Sequence, residues 1–147
     1  MTRQAAFKRF GKPIDPVSGA EIARRSVAAV IDVTEQVMQL MSQGDYRRVH
    51  GLMEPRTREE LPASLLSETW QKVLSEVGTL QACRNTRAEL PDGTLIEVDE
   101  EILGGVVIGQ TILECEAGEI VGRVAVNDRL SVVGVLLVPT DHGPLPF

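Results

Sequence analysis

His50 and Tyr46 stand four residues apart in "GDYRRVHGLM", a spacing that puts both on one side of a helix. An imidazole beside a phenol can do acid–base work. Histidine gives and takes protons near neutral pH, and a phenol can hydrogen-bond a developing oxyanion. Two more ionisable residues sit among small and apolar neighbours, Glu114 in "TILECE" and Arg123 in "IVGRVAV". With the single tryptophan, Trp70, they complete the set of candidate site residues: Tyr46, His50, Trp70, Glu114 and Arg123. Each also has a plain structural use. The tyrosine can fasten a helical corner, the tryptophan can plug a core, and the histidine can be a half-buried hydrogen-bonding group.

Other chemistry finds less support. Neither His50 nor His142 has a histidine or cysteine at i+3 or i+4, and zinc needs three or four convergent N, S or O donors. The acidic group Glu89, Asp92, Glu97, Asp99, Glu100 and Glu101 lacks the spacing of a calcium loop and reads as a solvated hairpin. "GGVVIGQT" mimics a phosphate loop, but Gln110 replaces the required lysine and a strand follows instead of a helix. No G-x-S-x-G elbow is present, and Cys115 reads as a core residue of a strand. No cofactor and no metal is expected.

The elements that must position these residues follow from periodicity. Ser18 and Glu21 form a capping box, and Ala23, Val27, Val30, Ile31, Val37, Met38 and Met41 recur at helical spacing, predicting a helix over 19–42. Gly44 stops it and Asp45 caps a short second helix carrying Tyr46, Val49, His50 and Met53. "EPRTREELP" reads as a polar connector. Pro62 opens a third helix with the stripe Leu65, Leu66, Trp70, Val73, Leu74 and Val77, ended by Gly78. Beyond it the period becomes strand-like: "TLQACRNTRAEL", a turn at "PDG", "TLIEV", two strands around "EAGE", a turn at "NDR", and "LSVVGVLLVP". The predicted fold class is α+β, with three N-terminal helices packed on a curved antiparallel sheet. Residues 1–17 read as a flexible arm, 18–139 as the domain and 140–147 as an irregular tail.

The chain has 147 residues, which suits one domain, and aromatics are 3%, so the core must be aliphatic. Net charge is −6. Apart from Arg3, Lys8, Arg9 and Lys12 ahead of Asp15, no basic patch offers itself to phosphates, so no nucleic-acid partner is expected. The longest apolar run, Val132 to Val138, is far below the roughly 20 residues that span a bilayer, and no signal-like apolar segment follows the early cations. The expectation is a cytoplasmic protein without a membrane partner, its Cys83 and Cys115 reduced.

The order of elements, together with "GDYRRV", "LPASLLSETW", "GGVVIGQTILECEAGEIVGRVAVN" and "SVVGVLLVP", resembles the nuclear transport factor 2-like superfamily, the cystatin-like cone. Residues 30–139 resemble a bacterial family of unknown function within it. Two features depart from that pattern: the acidic segment 88–103 looks like an insertion, and Val126 and Asn127 stand where a phenylalanine is usual. Members of that family are often exported, and no signal is seen here. The resemblance implies a cavity between helices and sheet, in which the ketosteroid isomerase branch sets a carboxylate base against a tyrosine and a protonated carboxylic acid.

No such converging set is legible, so the expected function is a non-catalytic module that binds a small apolar ligand or a protein. The alternative is a cavity enzyme of the isomerase, dehydratase or hydrolase kind. The closing strand is apolar on both sides, which predicts a homodimer through the sheet with Val133, Val135 and Leu137 as the candidate dimer face. The tail 140–147, or the N-terminal arm, folded over the same patch is the competing cover.

Overall fold

The computed structural model describes residues 26–98, 100, 102 and 104–147. The basic arm, the Ser18 capping box, Asp99 and Glu101 lie outside these. Helix α1 spans Val27–Ser42. Its start differs from the expected position 19. Ser26 is extended, with φ −92 and ψ 165, and its Oγ accepts the Ala29 N–H at 3.0 Å, so the first turn is capped here.

At the other end Gly44 has φ 74 and donates to Met41 O, while Asp45 N–H reaches back to Leu40 O at 2.9 Å. This pair of bonds over a left-handed residue is a Schellman stop, which only glycine adopts without strain. Asp45 Oδ1 then accepts from Arg48 N–H and starts α2 (Tyr46–Gly51).

The segment expected as a polar connector forms a further helix, α3 (Pro55–Glu60). The reason is local. Glu54 is extended and Pro55 occupies the first turn, where its fixed φ suits a helix and its missing N–H is not needed. Helix α4 (Ala63–Val77) follows, with Leu66, Trp70 and Val73 buried and Gly78 at its end. There are thus four helices rather than three among the described residues.

The strands are β1 (Leu80–Glu89), β2 (Leu95–Ile96), β3 (Val107–Cys115), β4 (Gly118–Val126) and β5 (Val132–Pro139). They form one open antiparallel sheet in the order β2-β1-β3-β4-β5. The helices pack on one side, which makes the fold α+β. Val107, Leu113, Ile120, Val124, Val126 and Val132 from the sheet meet Val30, Val37, Met38, Met41, Val49, Leu66 and Trp70 from the helices.

Helix α1 lies almost on the backbone of β3 and β4. A Cβ built at Gly109 would sit 1.7 Å from Thr34 Oγ1, and one at Gly122 would sit 2.8 Å from Met38 Cε. The two bare strand positions are what let the helix approach. Thr34, a polar residue in an apolar stripe, is satisfied by donating its hydroxyl proton to Val30 O at 2.7 Å.

Besides a register shift between Leu80 and Ala82 at the start of β1, two bulges decide which side chains face which way. In β1 the pairing steps from Arg84↔Ile112 to Arg87↔Gln110, with Asn85 at φ 54. In β5 it steps from Val126↔Val132 to Ala125↔Gly134. Each inserted residue reverses the alternation beyond it.

Two substitutions test this packing. Trp70 is 1% exposed within the core, so Trp70→Ala should cost roughly 3–5 kcal/mol by denaturant unfolding, and native emission should be blue-shifted. Gly109→Val should cost about 1–3 kcal/mol, because the added side chain meets Thr34 under the helix; an unchanged midpoint would contradict the close approach.

Candidate functional site

The sheet separates the five residues singled out from the sequence. Tyr46 packs half-buried against the core on the helix side. His50 Nε2 donates to Leu61 O at 2.7 Å, and Arg58 Nε donates to His50 O at 2.8 Å, so the histidine ties α2 to the end of α3. Trp70 is fully buried; its Nε1 has no hydrogen-bond partner among the described residues. Glu114 and Arg123 project from the opposite, outer side of β3 and β4. The structure therefore does not bring Glu114 or Arg123 to Tyr46, His50 or Trp70.

Two other polar groupings are brought together instead. On the helix side the β1 bulge turns Thr86 inward, where its hydroxyl donates to Glu35 Oε2 of α1 at 2.5 Å. Thr111 Oγ1 lies 2.7 Å from Thr86 Oγ1. Thr86 has one proton and gives it to the carboxylate, so Thr111 is the donor between the two hydroxyls. Cys83 adjoins this chain. Burial pushes its thiol above the ordinary value and the Glu35 charge adds to that, against the opposing hydrogen bond with Thr111. This makes a sheltered acceptor, Glu35, next to a protonated thiol. Among the described residues no three His, Cys, Asp or Glu are grouped so as to hold an ion.

The outer side carries the denser cluster. Register places Glu89, Ile108, Ala125 and Gly134 in one cross-strand row, and Arg87, Gln110, Arg123 and Leu136 in the next. Then come Arg84, Ile112, Val121 and Val138, and last Ala82, Glu114 and Glu119. Arg123 Nη1 donates to Glu89 Oε1 at 3.0 Å and also to Gln110 Oε1. The Arg123 and Glu89 side chains are only 7% and 4% exposed. Arg87 Nε reaches the other Glu89 oxygen at 2.7 Å. Two guanidiniums thus share one carboxylate, leaving surplus positive charge at this end. At the far end Arg84 donates to both Glu114 (2.5 Å) and Glu119 (2.6 Å), leaving surplus negative charge.

The tail closes over part of this side. Pro139 ends β5 opposite Ile120, yet Phe147 O accepts from Arg123 Nε at 2.7 Å. The chain from Thr140 to Phe147 therefore returns along the outer side. The β5 bulge also redirects the candidate dimer face. Val135 and Leu137 pack against the core on the helix side, whereas Leu136 and Val138 point outward, and Val133 is the inserted residue.

Glu35, Thr86, Thr111 and Arg87 were not singled out from the sequence; Gln110 drew notice there only in place of a phosphate-loop lysine, and Glu89, expected in a solvated hairpin, is instead buried by its pairing with Arg123. Thr34 and Thr111 interrupt apolar faces and carry a faint signal. Glu89 and Arg123 lie far apart along the chain, and nothing local pairs them. Among the described residues no helix is long and apolar enough to cross a membrane.

Burial raises the Cys115 thiol as well as that of Cys83, so both stay protonated at neutral pH. Modification by a disulfide reagent at pH 7.5 should be at least about tenfold slower in the native protein than in denaturant. Fast native labelling would place a thiolate in the site. In comparisons with family models, curated proteins and solved structures, the chain matches none of them.

Proposed function

We propose that the domain is a non-catalytic interaction module of the nuclear transport factor 2-like kind, pairing with a second copy of itself through the outer side of the sheet. The observation that carries this is the charge pattern around an apolar row. Ile112, Val121 and Val138 lie between a cationic end, Arg87 with Arg123, and an anionic end, Glu114 with Glu119. A two-fold axis through that row apposes each cationic end to the partner copy's anionic end and stacks the apolar rows. Such a surface is self-complementary, as a two-fold interface requires. The tail runs along the β5 side and would flank the contact. The absence of catalysis rests on the residues themselves: His50 is engaged by the backbone, Trp70 is enclosed, and Glu114 is paired with Arg84 on the far side of the sheet.

Light scattering at micromolar concentration tests the proposal. The expected mass is twice 16.0 kDa. Ile112→Asp should give a folded monomer, because it places a charge in the apolar row. Val135→Asp should instead unfold the chain, because Val135 faces the core. A monomeric wild-type mass, or a dimer that survives Ile112→Asp, overturns the proposal.

A further inference from the structure

The contact between the tail and the sheet has the form of a ligand in a site. Phe147 lies against Gly134, whose cross-strand partner on β4 is the small residue Ala125. A Cβ built at Gly134 would come within 2.9 Å of Phe147 Cζ and 3.1 Å of Cε1, and within 3.6 Å of Ala125 Cβ. Any side chain at 134 would occupy the space of the ring. The slot is therefore shaped by the missing side chain, not by a turn requirement.

Beside the slot stands a guanidinium that cannot swing away. Arg123 Nη1 is held by Glu89 and Gln110, which leaves Nε aimed at Phe147 O. A buried, fixed guanidinium recognises an oxygen with little further ordering cost. Its surroundings favour an anionic oxygen, whether the tail's or a ligand's. Arg87 and Arg123 share the single carboxylate of Glu89, so a neutral acceptor leaves the local positive charge uncompensated. The tail that fills the slot is lightly held: residues 140–144 and 146 are exposed, and only Leu145 and Phe147 are half-buried.

We propose that Arg123, Ala125 and Gly134 form a binding site for a small aryl carboxylate, a flat ring joined by a short spacer to an anionic oxygen. Phe147 occupies this site in cis and is displaced when the ligand binds. The site lies at the cationic end of the sheet and shares Arg123 with the proposed dimer contact.

The probe is 3-phenylpropionate, which reproduces the ring, the two-carbon spacer and the oxygen of Phe147. It is titrated into the full chain while the amide resonances of Ala125 and Gly134 are followed. Phe147→Ala empties the slot and should bind saturably at millimolar concentration or below. The wild type should need at least about ten times more probe, because its own ring competes. Adding Gly134→Leu to Phe147→Ala fills the slot and should abolish binding, with thermal melting as the check that the double variant is folded. If Gly134→Leu unfolds the chain, Gly134→Ala takes its place and should weaken binding. No saturation with Phe147→Ala, equal affinity with and without Phe147, or binding unaffected by the residue at 134 overturns the proposal. Binding of a peptide of residues 140–147 without binding of 3-phenylpropionate also overturns it, since the site would then read a longer chain segment.

Discussion

A guanidinium and a carboxylate, both almost wholly removed from water, face each other across the outer side of the sheet. Burying either alone would cost several kcal/mol, so Arg123 and Glu89 are sustained only as a pair with further hydrogen bonds. The outer side of the molecule is arranged around that requirement. Gln110, from the strand between them, supplies one more acceptor, and Arg87 shares the carboxylate. The tail supplies the remaining oxygen and the cover. Removing either partner would strand a charge against Ile108 and Ala125, which are themselves buried on that side. The pair joins β1 to β4 across β3, so it also fixes the relative placement of three strands.

The helix side obeys a different constraint, closeness. Gly109 and Gly122 let α1 settle on β3 and β4, and Thr34 and Met38 fill the space that strand side chains would otherwise take. That closeness, with the bulge at Asn85, brings Glu35 within reach of Thr86 and through it of Thr111. The resulting polar chain is internally satisfied. It stiffens the join between helix and sheet and leaves its thiol neighbour protonated.

The two sides of the sheet thus divide the roles. Tyr46, His50 and Trp70 serve the helical corner and core. Glu114 and Arg123 serve the surface through which the protein would meet another molecule. The features that distinguish its outer side are a charge at each end, an apolar row between them, and a slot held by its own tail.

The sequence by itself determined the order of elements and most of their limits, because those depend on local chemistry. Gly44 could only be a left-handed stop, Asp45 a cap, Gly78 the end of α4, and the period change after it the start of the sheet. It was less informative where one residue shifts a whole face. The extra residue near Val133 reverses the alternation of β5, and no local composition announces it. Residues 55–60 read as polar because they cover little, yet Pro55 still starts a helix there. The resemblance to the nuclear transport factor 2-like superfamily is a reading of motifs, and the fold supports its coarser α+β part. The pairing of Glu89 with Arg123, 34 residues away, and of Glu35 with Thr86, 51 residues away, was decided only by tertiary structure. Long-range partners are chosen by strand register and helix approach, and these are settled by the packing of the whole core rather than by any stretch of chain.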